Sequence, residues 1–138
     1  MTLTMWTIEA DDWERAGGVL DALVAYPQVV VAVGRLPLGD YLPGGGVVVE
    51  RKTAADLVLS IRDRRLFDQA ARLREGAAHP VLILEGDPLA VRTGMHKNAI
   101  LGALTWLTTI QGLPLLPSTG PARTAELLVT LARQQQQG

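Results

Sequence analysis

Three short runs of β-branched and aliphatic residues, separated by stretches with helical periodicity, constrain the fold of this chain more than any other feature. The runs are VVVAV at 29–33, VVVE at 47–50 and VLILE at 81–85. Each run has the length and composition of one buried strand. Apolar residues at helical spacing occupy four other stretches: 19–24, 53–73 with a break near 63, 97–111 and 121–133. This alternation predicts an α/β sandwich, a central mixed sheet with helices on both faces.

The length of 138 residues fits one compact domain, predicted to span 1–133. The polar run that follows, with glutamines from Gln134 to Gln137, predicts a disordered tail over 134–138. The absence of cysteine excludes disulfides and thiolate metal sites. The first residues lack the basic start and apolar core of a secretory signal, and we therefore expect an intracellular protein.

The charge of this chain is unevenly distributed. The net charge of −1 argues weakly against a nucleic-acid partner, because neutralising phosphates requires clustered cations. Between 51 and 74, however, seven cations face only three acids; the cations are Arg51, Lys52, Arg62, Arg64, Arg65, Arg72 and Arg74. A basic stripe therefore lies within a nearly neutral protein.

The segment GDYLPGGGVVVERKTAAD at 39–56 carries the residues that predict chemistry. Asp40 precedes the tight Pro-Gly-Gly-Gly turn, and Glu50 ends the strand after it. Glu50 and Lys52 are two residues apart, so they project to the same side of that strand. Two carboxylates and an ammonium around one small volume suit Mg²⁺, which binds through one or two carboxylates together with water and substrate phosphate.

The roles of the neighbouring groups stay open at this point. Lys52 would orient or deprotonate an attacking water, or stabilise the developing anion, once a metal has activated that water. Asp56 follows at the start of the next helix. It would bind Arg51 or Lys52, or complete the outer shell of the metal.

This segment resembles the nuclease motif of the XPF/Hef family of structure-specific endonucleases, G-D-x(n)-E-R-K-x(3)-D. The matching residues are Gly39-Asp40, Glu50-Arg51-Lys52 and Asp56. The similarity continues through SIRDRRLFDQAARL at 60–73, where Arg64 stands at a position that is usually glycine in the family. The strand at 81–86 and the two later helices also fit, so the resemblance spans most of the chain.

The resemblance implies a restriction-endonuclease-like three-layer fold and Mg²⁺- or Mn²⁺-dependent cutting of branched DNA such as flaps and forks. It adds the backbone carbonyl of Arg51 to Asp40 and Glu50 as a metal ligand. It also implies a homodimer formed through this domain. Family members commonly carry a helix-hairpin-helix or helicase module elsewhere, and neither is found in this sequence.

The first strand departs from the family pattern, which ends that strand in D-x-R-E. Here the region reads IEADDWER. Because residues 5–9 have the better strand pattern, we expect Glu9 and Asp12 to substitute as additional metal-site acids. A count without gaps favours Asp12 with a transposed Glu14-Arg15.

The basic stripe supplies the predicted DNA contacts. Arg65, Gln69 and Arg72 fall on one helical face, which predicts a phosphate track, although a solvated face with ordinary ion pairs has the same spacing. Arg62 and Arg64 complete the expected DNA-binding set. The apolar positions of 97–111 and 121–133 predict a homodimer surface or intramolecular core. The three tryptophans are scattered and predict no base-stacking platform.

Two rival functions remain at the sequence level. A restriction-like or junction-resolving nuclease would share the Asp…Glu-x-Lys core and differ in substrate. A non-catalytic DNA-binding scaffold would retain the fold. The intact motif counts against the scaffold, and the altered first-strand acids count for it.

Overall fold

Six strands form one mixed sheet in the computed structural model, which describes residues 4–137. The strands are β1 Trp6–Asp11, β2 Val29–Gly34, β3 Tyr41–Gly44, β4 Val47–Thr53, β5 His79–Glu85 and β6 Leu115–Ser118. Their order across the sheet is β2-β1-β3-β4-β5-β6. The β1–β3 and β3–β4 pairs are antiparallel and the other pairs are parallel. The central β3–β4 hairpin therefore joins two parallel halves.

Five helices cover the two faces of this sheet. They are α1 Val19–Leu23, α2 Ala54–Arg62, α3 Leu66–Gly76, α4 Lys97–Thr105 and α5 Pro121–Gln136. Short 3₁₀ helices at Asp12–Ala16 and Pro88–Ala90 and a π-helical turn at Trp106–Ile110 complete the elements. No helix among residues 4–137 has the length and apolar character needed to cross a membrane.

Each face of the sheet has its own buried core. On one face, Ile8 of β1 and Val49 of β4 pack with α1 and α5, represented by Leu23 and Leu128. On the other face, β5 packs against α2, α3 and the π-helical turn that follows α4, through Leu82, Leu84, Leu57, Leu73 and Leu107. Two hydrophobic layers on one sheet confirm the predicted three-layer sandwich with helices on both faces.

The connection between α2 and α3 contains a strained residue. Thr53 caps α2 by accepting a hydrogen bond from the Asp56 N–H at 3.1 Å, and the helix ends at Arg62, close to the predicted break at Asp63. Arg64 then adopts φ +60°, the left-handed region that favours glycine. The departure from the family's glycine therefore places a side chain where the backbone conformation disfavours one.

The structure extends helix α5 into the segment 134–138 that the sequence predicts to be a disordered tail. Helix α5 continues through Gln134 to Gln136, because the Gln136 side chain has fixed partners. It accepts from the Thr7 N–H at 3.0 Å and donates to the carbonyls of Thr7 at 2.7 Å and Pro43 at 2.8 Å. A polar side chain is thus bonded to the backbone of β1 and β3. Residue 138 lies outside the described residues.

Candidate active site

Asp40 lies where three strands meet, immediately before β3. Its backbone N–H donates to the Val49 carbonyl of β4 at 2.8 Å, and its carbonyl accepts from the Asp11 N–H at the end of β1, also at 2.8 Å. One carboxylate oxygen, Oδ2, accepts from the Arg51 N–H at 2.7 Å. The backbone therefore fixes this carboxylate and leaves its second oxygen available.

Glu50 and Lys52 line one pocket on the face of the sheet that α3 covers. Lys52 is 8% exposed, and its Nζ donates to Gln69 Oε1 of α3 at 2.5 Å. Among residues 4–137 the Glu50 carboxylate forms no hydrogen bond or ion pair with another side chain. The strand therefore presents an uncommitted carboxylate beside a buried, oriented ammonium.

Burial shifts the proton affinity of these groups. Burial and then the neighbouring charge of Glu50 raise the pKa of Asp40 to about 8. Burial also raises the pKa of Glu50, partly offset by Lys52, and it lowers the pKa of Lys52. It is unfavourable for both of these buried, neighbouring carboxylates to be charged. A bound cation would offset that cost.

Arg51 serves the site from the opposite face of the sheet. Its guanidinium binds Glu85 of β5 with two hydrogen bonds, Nε to Oε2 at 2.6 Å and a terminal nitrogen to Oε1 at 2.8 Å. Glu14 Oε1 lies 3.6 Å from the same guanidinium. Glu85 also accepts from the Thr124 hydroxyl of α5 at 2.5 Å. The side chain of Arg51 is therefore an anchor, and only its backbone reaches Asp40.

The structure corrects the first-strand acids. Glu9 is exposed in the middle of β1, and Asp12 is exposed and paired with Arg15 at 2.5 Å. The buried acids are Asp11, at 8% exposure, and Glu14, at 9%. Strand β1 runs two residues further than expected, so the D-x-R-E pattern corresponds to Asp11 and Glu14.

These two acids have different surroundings. Each carboxylate oxygen of Asp11 accepts one backbone hydrogen bond, Oδ1 from the Leu36 N–H at 2.8 Å and Oδ2 from the Trp13 N–H at 3.0 Å. Burial raises the pKa of Glu14, and the Tyr41 hydroxyl and the charge of Arg51 offset part of that rise. Asp11 thus shapes the loops around Asp40, while Glu14 faces the Arg51 anchor. The D-x-x-E spacing at 11–14 is the sequence signal that would have found both.

The remaining predicted residues divide into a near and a distant group. Asp56 is exposed and, among the described residues, forms no ion pair with Arg51 or Lys52, although its charge acts on the pKa of Lys52. Arg65 precedes α3, and its charge also acts on Lys52. Arg62 pairs with Asp63 at 3.1 Å and lines a separate groove beside residues 91–95.

A cavity of about 310 Å³ opens beside Glu50. Gln69 and Arg72 of α3 line one side of it, and Asp11, Trp13 and Arg35 line the other. The structure therefore brings two residues of the predicted phosphate track to the carboxylates. It leaves Arg64 beside a different pocket, near Phe67 and Trp106.

The available carboxylate oxygens suit one divalent cation that also binds water and substrate. They do not form a site in which side chains alone would surround the cation. Within residues 4–137 no three His, Cys, Asp or Glu side chains converge closely enough to hold a metal by themselves. Asp40 retains a free oxygen, and Glu50 has no other partner in this part of the chain. Mg²⁺ commonly binds through one or two carboxylates plus water and phosphate, and this pair meets that requirement.

Comparison with known proteins identifies relatives over most of the chain. The ERCC4 domain model matches residues 10–131. The 3′-flap repair endonuclease Xpf of Saccharolobus solfataricus is 37% identical over 132 residues, covering 95% of this chain and 56% of the relative. A putative ATP-dependent RNA helicase of Methanocaldococcus jannaschii is 40% identical over 101 residues, covering 73% of this chain and 12% of that protein.

A comparison of folds finds an XPF structure as well. The structure of XPF from Aeropyrum pernix in complex with DNA matches with a TM-score of 0.87 and 32% sequence identity, covering 96% of this chain and 66% of that one. The sequence thus spans between about a tenth and two thirds of the length of the proteins it matches.

Proposed function

This chain belongs to the ERCC4 domain family as an XPF-type nuclease domain, and on that premise we propose that it is a metal-dependent DNA endonuclease. The observation that carries the proposal is the position of Asp40 and Glu50. Their carboxylates come from adjacent strands, burial raises the pKa of both, and a buried Lys52 lies beside them. Burying three ionisable groups together costs free energy of folding, and such groups with shifted pKa values are typical of functional sites.

Asp40 and Glu50 would hold Mg²⁺ or Mn²⁺, with the backbone carbonyl of Arg51 as a third ligand. When bound, the cation lowers the pKa of a coordinated water and offsets charge on the scissile phosphate. The hydrogen bond from the Arg51 N–H to Asp40 Oδ2 fixes the carboxylate and leaves its other oxygen for the cation. The Glu85 anchor holds that backbone in place, since a bidentate guanidinium–carboxylate pair fixes orientation as well as distance.

Lys52 would act on protons and charge at the phosphate. Burial lowers the pKa of Lys52, so its Nζ exchanges a proton more readily than an exposed lysine. The Gln69 amide oxygen accepts one Nζ hydrogen and orients the others. In this position Lys52 donates to the developing anion or directs the attacking water. Asp56 favours the charged form of Lys52 through its own charge.

Arg65, Gln69 and Arg72 would position the DNA backbone beside the carboxylates, with Arg62 and Arg64 extending the basic surface along α2 and the following turn. Arg72 lines the cavity beside Glu50, which suits a phosphate contact. The relative in Saccharolobus solfataricus is named a 3′-flap repair endonuclease. We extend that substrate class, branched DNA, to this chain.

A homodimer is part of the same proposal. The apolar residues of α5 are largely core, among them Ala125, Leu128 and Ala132. Leu101 and Ile110, in and just after α4, are instead 40% and 69% exposed. Exposed apolar groups on one helical segment favour that segment as the dimer surface. Sedimentation of the chain at micromolar concentration tests this assignment, and a monomer there contradicts it.

The test of the nuclease proposal is cleavage of labelled linear duplex, flap, fork and four-way junction with Mg²⁺ or Mn²⁺. Asp40→Asn is the sharpest variant, because the amide oxygen still accepts from the Arg51 N–H while the charge is lost. Asp40→Asn and Glu50→Gln should each reduce cleavage more than 100-fold. Asp21→Asn, at an exposed position of α1, is the matched control and should cut normally.

The substrate panel also separates the rival functions. Preference for flap or fork supports the branched-DNA proposal, and preference for duplex or four-way junction favours the restriction-like or junction-resolving alternative. Cleavage that persists in both carboxylate variants, or is absent from the wild-type chain, contradicts the nuclease proposal. The altered acids of the first strand were the argument for a non-catalytic scaffold. They no longer favour it, because buried acids are present at Asp11 and Glu14.

A further inference from the structure

Trp13 occupies an unusual place at the mouth of the 310 Å³ cavity. It is 81% exposed, more than the other exposed large apolar residues among those described, which range from 37% to 72%. Its backbone N–H donates to Asp11 Oδ2 at 3.0 Å, so the cap of the 3₁₀ helix sets where it stands. Trp13 also takes the position of the arginine in the D-x-R-E pattern. The tryptophan therefore replaces a cation beside the carboxylates and contributes little to the core.

The surroundings of Trp13 select one kind of ligand chemistry. Arg35 and Arg72 line the same cavity, and Glu50 lies within it. An aromatic side chain that shares one cavity with two cations and a proposed metal ligand suits a ligand in which planar rings alternate with phosphates. Aromatic side chains stack on unpaired bases without regard to sequence, and basic residues follow the phosphates. In a fully paired duplex the base faces are covered by their neighbours and cannot meet the indole.

We propose that Trp13 stacks on an unpaired nucleotide next to the scissile phosphate and thereby makes this chain prefer DNA with a single-stranded segment at the cut site. This inference deepens the proposed function and rests on it for the identity of the nucleic acid. A lone exposed tryptophan on a protein surface needs no explanation. Here, the cavity and its two arginines give the indole a specific task.

Binding measured without cleavage tests the proposal. Fluorescence anisotropy in EDTA compares a forked DNA carrying single-stranded arms with a fully paired duplex of equal length. Trp13→Ala should weaken binding of the fork by roughly 5- to 150-fold and change duplex binding by less than about 2-fold. Trp13→Phe should recover most of the loss, because it keeps an aromatic face. Phe67→Ala, which removes an aromatic residue 61% exposed outside the cavity, should keep the wild-type preference for the fork.

An abasic substitution in the DNA separates stacking from a general structural effect. Removing one base of the unpaired arm should weaken wild-type binding and leave Trp13→Ala binding unchanged, because the partner of that base is already absent. Equal weakening of fork and duplex by Trp13→Ala, or additive losses from the protein and DNA changes, overturns the inference.

Cleavage of the same fork with Mg²⁺ keeps this inference distinct from the nuclease proposal. If the wild-type chain cuts the fork and the Trp13→Ala variant binds the fork as tightly as the wild type, the stacking inference is refuted and the nuclease proposal stands. A chain that binds the fork through Trp13 but cuts no DNA refutes the nuclease proposal and supports the stacking contact. A chain that binds no DNA overturns both.

Discussion

Replacing Arg64 by glycine should stabilise this domain. Arg64 has φ +60°, where an L-residue pays roughly 1–2 kcal/mol because its Cβ crowds the following carbonyl. Glycine removes that crowding but loses about 0.5–1 kcal/mol more conformational freedom on folding. The expected net gain in the free energy of unfolding is therefore about 0.5–1 kcal/mol. With a urea dependence of roughly 2 kcal/mol per molar, the midpoint should rise by about 0.3–0.5 M.

Two control variants identify the cause of that gain. Arg64→Ala keeps a Cβ at the same positive φ, so it should not stabilise. Arg62→Gly lies at the end of α2 with helical backbone, where glycine should cost up to about 1 kcal/mol. Urea unfolding followed by circular dichroism at 222 nm measures all three. A gain in Arg64→Ala equal to that in Arg64→Gly would refute the argument, because it would assign the penalty to the arginine side chain instead of the backbone conformation.

DNA binding should change in the opposite sense to stability. If Arg64 contacts phosphate as proposed, Arg64→Gly and Arg64→Ala lose the same cation and should weaken DNA binding to a similar extent. The salt dependence of binding should also become shallower by about one phosphate contact in both variants. Wild-type affinity and salt dependence in both variants would remove Arg64 from the DNA-binding set and leave the strained conformation without a functional reason.

Three further perturbations address the site itself. Glu85→Gln should lower the free energy of unfolding by about 3 kcal/mol in urea melts, because the largely buried guanidinium loses its bidentate carboxylate partner and keeps only Glu14 at 3.6 Å, whereas Glu126→Gln in an exposed ion pair should cost less than about 0.5 kcal/mol; equal effects would contradict the anchor. Asp40 binds a proton up to a pH of about 8 in the folded chain and only to about 4 when unfolded, so the metal-free protein should lose stability as pH rises between these values. Asp40→Asn should make that decline shallower in EDTA and leave the part that the raised pKa values of Glu50 and Glu14 contribute; an unchanged pH profile would show that the Asp40 pKa is not raised. Gln69→Leu should lower kcat about 10-fold, because Lys52 loses the acceptor that orients it; a rise in KM with kcat unchanged would leave Gln69 only its proposed DNA-positioning role.

The spacing of the motif predicted the centre of the site because the geometry there is local. Glu50 and Lys52 lie on one strand with a period of two, and the tight turn at 43–46 returns the chain beside Asp40. These relations follow from strand geometry and need no knowledge of distant packing. The three-layer fold was predictable for a similar reason, since each apolar run matches one strand of the sheet. The run at 29–33 was predicted to be buried and instead forms the edge strand β2, whose residues alternate between half-buried and exposed.

Other features depended on contacts between residues far apart in sequence. The core face of β1 alternates through Trp6 and Ile8 to Ala10, and the small alanine gave little sign that the strand continued to Asp11. The burial of Glu14 depends on Arg51, which comes from β4. The helical end of α5 depends on the bonds of Gln136 to β1 and β3. Such long-range partners leave no periodic trace in a single sequence.

The contacts of Arg51 connect helix α5 to Asp40, one of the two proposed metal ligands. Thr124 bonds Glu85, Glu85 holds the guanidinium, and the backbone of the same arginine steadies Asp40 on the other side of the sheet. A displacement of α5 by the width of a methyl group would therefore be transmitted to the Asp40 carboxylate, a proposed ligand of the cation. If the domain cuts DNA as proposed, substitutions within α5 should change its catalytic efficiency while every group that contacts substrate stays the same.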